Sequence, residues 1–130
     1  MKKAFVVVSG YSEDFIKQAD TGWGCGYVYI PKDHPILVKL LVDDDGYTRQ
    51  IIDNFSEEIT FSNWDKEREF YVIGFDTAHS WDNISNNDKA WVNAKAEEML
   101  VIVNVYTVED ARAFAIDQVK LMSNKFSKYL

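Results

Sequence analysis

Three side chains that can do chemistry recur at intervals of three in the stretch GFDTAHSWDN, residues 74–83: Asp76, His79 and Asp82. On a turn or short helical segment that interval places side chains on one side. Imidazole and carboxylate are ligands for borderline and hard divalent cations, which makes these three candidate metal ligands. The same trio could move a proton, with Asp76 orienting His79. A plainer expectation stands beside both: Asp76 closes a turn onto its own backbone and His79 bonds a loop carbonyl. The only other histidine, His34, lies in IPKDHPIL, where Pro35 holds it extended. His34 joins the candidate metal and ligand set only if strands 27–30 and 70–75 lie side by side and parallel, so that both C-terminal ends emerge together.

Other chemistry finds less support. TGWGCG lacks the pattern of a phosphate-binding loop and precedes a strand, not a helix. DDDGY lacks the twelve-residue calcium pattern. Cys25 is the single cysteine, so it forms no internal disulfide and has no metal-type spacing. It also has no cation nearby in sequence to activate a thiolate. Trp23, Tyr27, Trp64, Trp81 and Trp91 lie in or near expected loops. Such rings can stack on a base or sugar, though more commonly they cover the ends of a sheet.

The elements that must position these residues follow from periodicity. AFVVVSG reads as a buried strand closed by Ser9-Gly10, and Tyr27–Ile30 as a second strand ended by Pro31. The 36–42 run ILVKLLV suits either a strand or a buried helical turn. Ile59–Ser62 and Phe70–Phe75 are expected to pair as an antiparallel hairpin, with the nearly all-apolar 70–75 central in the sheet. A helix is expected from about Lys89, capped by Asn87 or Asp88, with Val92, Ala96, Met99, Leu100 and Val103 on one face. Its tail, LVIVNVY, is β-branched enough to be a strand instead. The clearest helix spans 107–127. Thr107 and Asp110 form a capping box, and Val108, Ala111, Ala115, Val119, Met122 and Phe126 form its apolar stripe. Strands first and helices last predict an α+β fold in one domain, residues 1–130. The expected architecture is an antiparallel sheet, with a mixed sheet as the alternative, and two C-terminal helices on one face.

Composition bounds the partners. With 47% hydrophobic and 15% aromatic residues the 130-residue chain can bury a core. A net charge of −7 offers no basic stripe for phosphate backbones, so direct nucleic-acid binding is disfavoured. The apolar run after Lys2-Lys3 is too short for a signal peptide, and no stretch approaches the ~18 residues of a membrane span. With one cysteine, a cytoplasmic location is expected.

The blocks GYVYIPKDHP, ITFS and VIGFDTAHSWD and the helix from AWVNAKAEEML, in that order, resemble a family of short uncharacterised proteins of bacteriophages and prophages. The resemblance covers residues 24–103, and the last helix is an addition to it. The matches are Pro31, His34 and Pro35, then Thr60, Phe61 and Ser62, then Gly74, Phe75, Asp76, Ala78, His79 and Asp82. There are two departures: Ser56, Glu57 and Glu58 replace a His-Gly-Gly, and Thr77 replaces a cysteine. Loss of that histidine fits a binding role better than a shared catalytic one.

The resemblance brings no established activity and supplies context only; within it, the first reading is a small phage-type accessory protein that binds a polar or nucleotide-like ligand, in the setting of host counter-defence. The expected ligand-binding residues are His34, Thr60, Ser62, Asp76, His79, Trp81 and Asp82. Cations to meet a nucleotide are few: Lys32, Arg49 and Arg68. Two alternatives stand. One is an acidic interaction module or DNA mimic, presenting Asp43–Asp45, Glu57–Glu58 and Asp65–Glu69 to a basic host protein. The other is a hydrolase in which His34, Asp76, His79 and Asp82 hold a divalent metal that activates water. A sheet edge or an apolar helix face could also support a homo-oligomer.

Overall fold

A computed structural model of the chain describes residues 2–43, 52 and 54–127. In chain order the elements are β1 (Phe5–Gly10), α1 (Glu13–Ala19), β2 (Gly24–Pro31), α2 (Leu37–Asp43), β3 (Phe61–Trp64), β4 (Phe70–Phe75), α3 (Lys89–Val105) and α4 (Val108–Ser127). The four strands form one sheet in the order β1-β2-β4-β3. Every pairing is antiparallel, so the α+β expectation holds in its unmixed form. β4 lies inside the sheet, as its apolar composition required.

Local chemistry explains the boundaries. The run at 36–42 is helical: Ile36, Leu37 and Leu40 are buried while Val38, Leu41 and Val42 are exposed, a spacing of three and four. The turn signal Asp45-Gly46 lies outside the described residues. β3 runs two residues beyond the expected end at Ser62, because Asn63 and Trp64 still pair with Val72 and Tyr71, and it starts at Phe61 rather than Ile59. The Trp64 ring also meets Tyr71 edge-on at 5.3 Å. Asp65 then closes the hairpin, its carboxylate accepting from the amides of Glu69 and Phe70. Asp88 caps α3 by accepting from the Trp91 amide at 2.9 Å. The β-branched tail of α3 stays helical through Val105, since Val103 continues the stripe that buries Val92, Ala96 and Met99. Packing here overrides propensity.

The core lies between the sheet and α3. Val28, Ile30, Tyr71, Ile73 and Phe75 point toward Val92, Ala96 and Met99, with Ile36, Leu40, Ile59 and Phe55 closing the sides. The helix comes close at Gly26, where an added Cβ would lie 2.6 Å from the Phe75 ring and 3.2 Å from Ala96. The opposite sheet face has its own aromatic layer. Phe5 stacks on Tyr29 at 5.0 Å and meets Phe70 edge-on, while Tyr27 meets Phe61, and Val72 beneath is only 4% exposed. α4 begins with the expected capping box: the Thr107 amide donates to Asp110 Oδ2 at 2.8 Å and the Asp110 amide to Thr107 Oγ1 at 3.1 Å. Of the two C-terminal helices, α3 contacts the sheet and α4 leans on α2.

Truncating Met99→Ala at the α3–sheet contact is expected to cost about 2–5 kcal/mol in urea unfolding. Val101→Ala, on the exposed side of the same helix, is expected to stay within about 0.5 kcal/mol.

Candidate functional site

The loop that follows β4 is fixed to the start of β2 before it presents any chemistry. Thr77 is fully buried. Its hydroxyl donates to the Gly24 carbonyl at 2.8 Å and accepts from the Gly24 amide at 3.1 Å. The Gly22 amide donates to the Thr77 carbonyl at 2.7 Å, and the Trp23 amide to the Asn87 carbonyl at 2.8 Å. Asn87 also holds the far side of the loop, through its own amide on the Asn83 carbonyl and its side chain on the Asn83 amide. Gly22 sits in this clasp because a Cβ there would fall 2.5 Å from Thr77 and 2.8 Å from Asn87.

On this base Asp76, His79 and Asp82 converge, with one ligand-type atom of each within 4.8 Å of the others. Asp76 makes the turn expected of it, Oδ1 accepting from the Ala78 amide at 2.9 Å. Asp82, not Asp76, orients the imidazole. Its buried Oδ2 accepts the backbone amide of His79 at 2.9 Å and lies 2.9 Å from Nδ1. An ionised carboxylate only accepts, so this contact puts the ring proton on Nδ1. Asp76 Oδ1 stands further off, 3.6 Å from Nδ1. Nε2 is left facing Glu58 Oε2 at 3.7 Å. Trp81 lies parallel to the imidazole at 4.5 Å, yet is 68% exposed.

A second segment completes the surround. Ser56 donates to Glu98 Oε2 at 2.9 Å and accepts from Lys95 at 2.7 Å, which ties residues 56–58 to α3. Glu57 then sits where burial pushes its carboxyl above the usual range, Lys95 opposing and Asp82 adding to the rise. Carboxylates of Glu58, Asp76 and Asp82 thus surround one imidazole, with Glu57 nearby. The field here is negative and suits a cationic group rather than a phosphate.

His34 does not join this cluster. β2 and β4 run antiparallel, with Gly26 opposite Phe75 and Pro31 opposite Phe70. His34 follows Pro31 and His79 follows Phe75, so they leave at opposite ends. At roughly 3.3 Å per residue those ends are about 17 Å apart. His34 instead accepts from the Ile36 amide at Nδ1, 3.1 Å away. Burial lowers its pKa from the ordinary value of 6.5, opposed by Asp33 and by a hydrogen bond with Asn104 of α3. A single pocket or metal centre holding His34, Asp76 and His79 together therefore does not form.

The remaining candidates also separate. Thr60 bonds Gly74 through its backbone amide and Ser62 pairs with Ile73, on β3 and its approach rather than in the loop after β4. Lys32 and Arg68 lie at the His34 end, Lys32 within 3.8 Å of Glu69, while Arg49 lies outside the described residues. Of the acidic runs among the described residues, Glu57–Glu58 is the one that reaches the site. Asp65–Glu69 forms the distant hairpin turn, and the side chains of Asp43–Asp45 lie outside the described residues. Trp64 and Trp91 pack on Tyr71 and Phe75, and Trp23 lies against Gly10. They cover the sheet, as the plainer expectation held. The clasp of Thr77 on Gly24, the bond of Trp23 to Asn87 and the pairing of Glu58 with His79 carry no spacing signal, since each joins residues 20 or more positions apart. No family model, curated protein or solved structure matches this chain.

Thr77→Val keeps the shape and removes both hydroxyl bonds. It is expected to cost about 2 kcal/mol, read as a lower urea midpoint at unchanged slope. The neutral His34 ring is favoured in the folded chain, so its contribution is complete above about pH 6.5 and is lost as pH falls through the lowered folded value. The urea midpoint is therefore expected to drop on acidification below about 6.5, and to drop less in His34→Gln.

Proposed function

We propose that this chain is an interaction module that captures a cationic side chain, arginine or lysine, on a basic partner surface. One observation carries the reading: Trp81 is held flat against His79 while remaining 68% exposed, with Asp76 and Glu58 carboxylates beside the same imidazole. An exposed indole attracts a cation to its face, and neighbouring carboxylates supply directional charge. His79, fixed by Asp82, acts as the support that keeps the indole from collapsing onto the surface. The phage resemblance supplies a setting, since a host protein that binds nucleic acid offers such a basic surface. A nucleotide-like ligand fits less well, because Lys32 and Arg68 stand at the far end and carboxylates surround the imidazole.

The metal-dependent hydrolase retains one supporting observation, the 4.8 Å convergence of Asp76, His79 and Asp82. Against it, an ion bound at Nδ1 must displace the proton that Asp82 holds at 2.9 Å. An ion at Nε2 keeps that bond and uses Asp82 as the orienting carboxylate.

Calorimetric titration with a hexa-arginine peptide separates these readings. Binding is expected at low salt, weakening as salt rises. Trp81→Ala leaves the net charge unchanged and is expected to weaken binding about tenfold, in line with about 1–2 kcal/mol for a desolvated cation on an indole. Equal binding by wild type and Trp81→Ala would sink the proposal. Zinc binding that vanishes in His79→Ala, with no peptide binding, would favour the metal site instead.

A further inference from the structure

β1 ends the sheet with its outer edge open. The sheet order places β2 on one side of it and, among the described residues, no strand on the other. The Tyr11 amide donates to the Trp23 carbonyl at 2.8 Å, in line with the β1–β2 register. Backbone groups alternate along a strand. Phe5, Val7 and Ser9 therefore bond β2 as Tyr11 does, and the amides and carbonyls of Val6 and Val8 point outward. An edge left this way invites another strand, and proteins commonly guard it with charge, proline or brevity. β1, FVVVSG, has six residues and none of those guards. The other edge is guarded: β3 has four residues, and the Asn63 side chain takes the Trp64 amide at 2.8 Å.

We propose that β1 pairs antiparallel with β1 of a second copy, about a two-fold axis at Val7, so that two four-stranded sheets become one. Self-complementarity selects a second copy. Val6 and Val8 flank Val7 symmetrically. The Val6 amide of each copy then donates to the Val8 carbonyl of the other, and the Val8 amide to the Val6 carbonyl. The same register keeps the faces matched. Val7 meets Val7 and Phe5 meets Ser9 on the aromatic side, while Val6 meets Val8 on the side covered by α3. Charge agrees with it. Lys3 falls opposite Tyr11 of the second copy, two residues from Glu13, which with Asp14 forms the acidic first turn of α1. α3 packs over both β1 and β2. Its counterpart across the axis therefore stands roughly 10 Å away, the spacing at which helices pack side by side. The pairing leaves the Trp81 loop out, so dimer mass and arginine-peptide binding can fail separately.

Sedimentation equilibrium at micromolar concentration tests the pairing. The expected mass is about 30 kDa, twice the 15.0 kDa chain. Val7→Lys and Val7→Glu each set like charges face to face across the axis, and each is expected to return the monomer mass. Mixing the two is expected to restore the dimer, which a misfolded variant cannot do. Val7→Thr, neutral and β-branched, is expected to keep it. Disulfide trapping in a Cys25→Ser background reads the register. Val7→Cys is expected to cross-link to itself, its two copies about 4.5 Å apart at Cα. Phe5→Cys alone is not, because its two copies stand about 14 Å apart. A wild-type monomer overturns the proposal. So does a dimer that survives Val7→Lys, a mixture that stays monomeric, or a cross-link through Phe5→Cys alone.

Discussion

The antiparallel pairing of β2 with β4 is the constraint on which the rest depends. It places the core side chains Val28, Ile30, Tyr71, Ile73 and Phe75 on one face, where α3 covers them. It also decides which loops are neighbours. The segment after β4 emerges beside the start of β2, and the segment after β2 emerges beside the hairpin turn before β4. Reversing that one direction would exchange the neighbours of both histidines.

What the pairing brings together, buried hydrogen bonds then hold. Thr77 binds both backbone groups of Gly24, and Asn87 closes the same loop from the other side. A loop fixed at both ends loses little freedom when its side chains take up fixed positions. Asp82 can therefore stay largely buried and spend one oxygen on two contacts to His79. Burying a carboxylate is costly unless it is satisfied, and here the satisfaction comes from the residue it orients. The result is a rigid imidazole supporting an exposed indole in a field of negative charge. Rigidity at an exposed aromatic lowers the ordering cost of binding, which is why the arrangement suits recognition.

The molecule is asymmetric in how completely its surfaces are satisfied. The sheet face away from α3 has its own aromatic layer, with Phe5, Tyr29 and Phe70 packed over Val72. On α4, by contrast, Val119, Met122 and Phe126 are each more than half exposed.

Sequence alone determined what depends on near neighbours. The strand 70–75, the cap and stripe of the helix after residue 88, the capping box at Thr107 and the grouping of Asp76, His79, Trp81 and Asp82 were all legible, because each arises within a few residues of chain. The same local reasoning left 36–42 ambiguous, since a short apolar run has the same composition as helix or strand until its partners are known. Only the tertiary structure decided that Asp82, not Asp76, orients His79, that Glu58 reaches Nε2, that Thr77 is a buried clasp, and that His34 lies at the far end. Each of these turns on strand direction and on pairs separated by tens of residues, or on which of two close carboxylates the folded loop buries. Strand direction leaves no trace in side-chain alternation, which reads the same from either end.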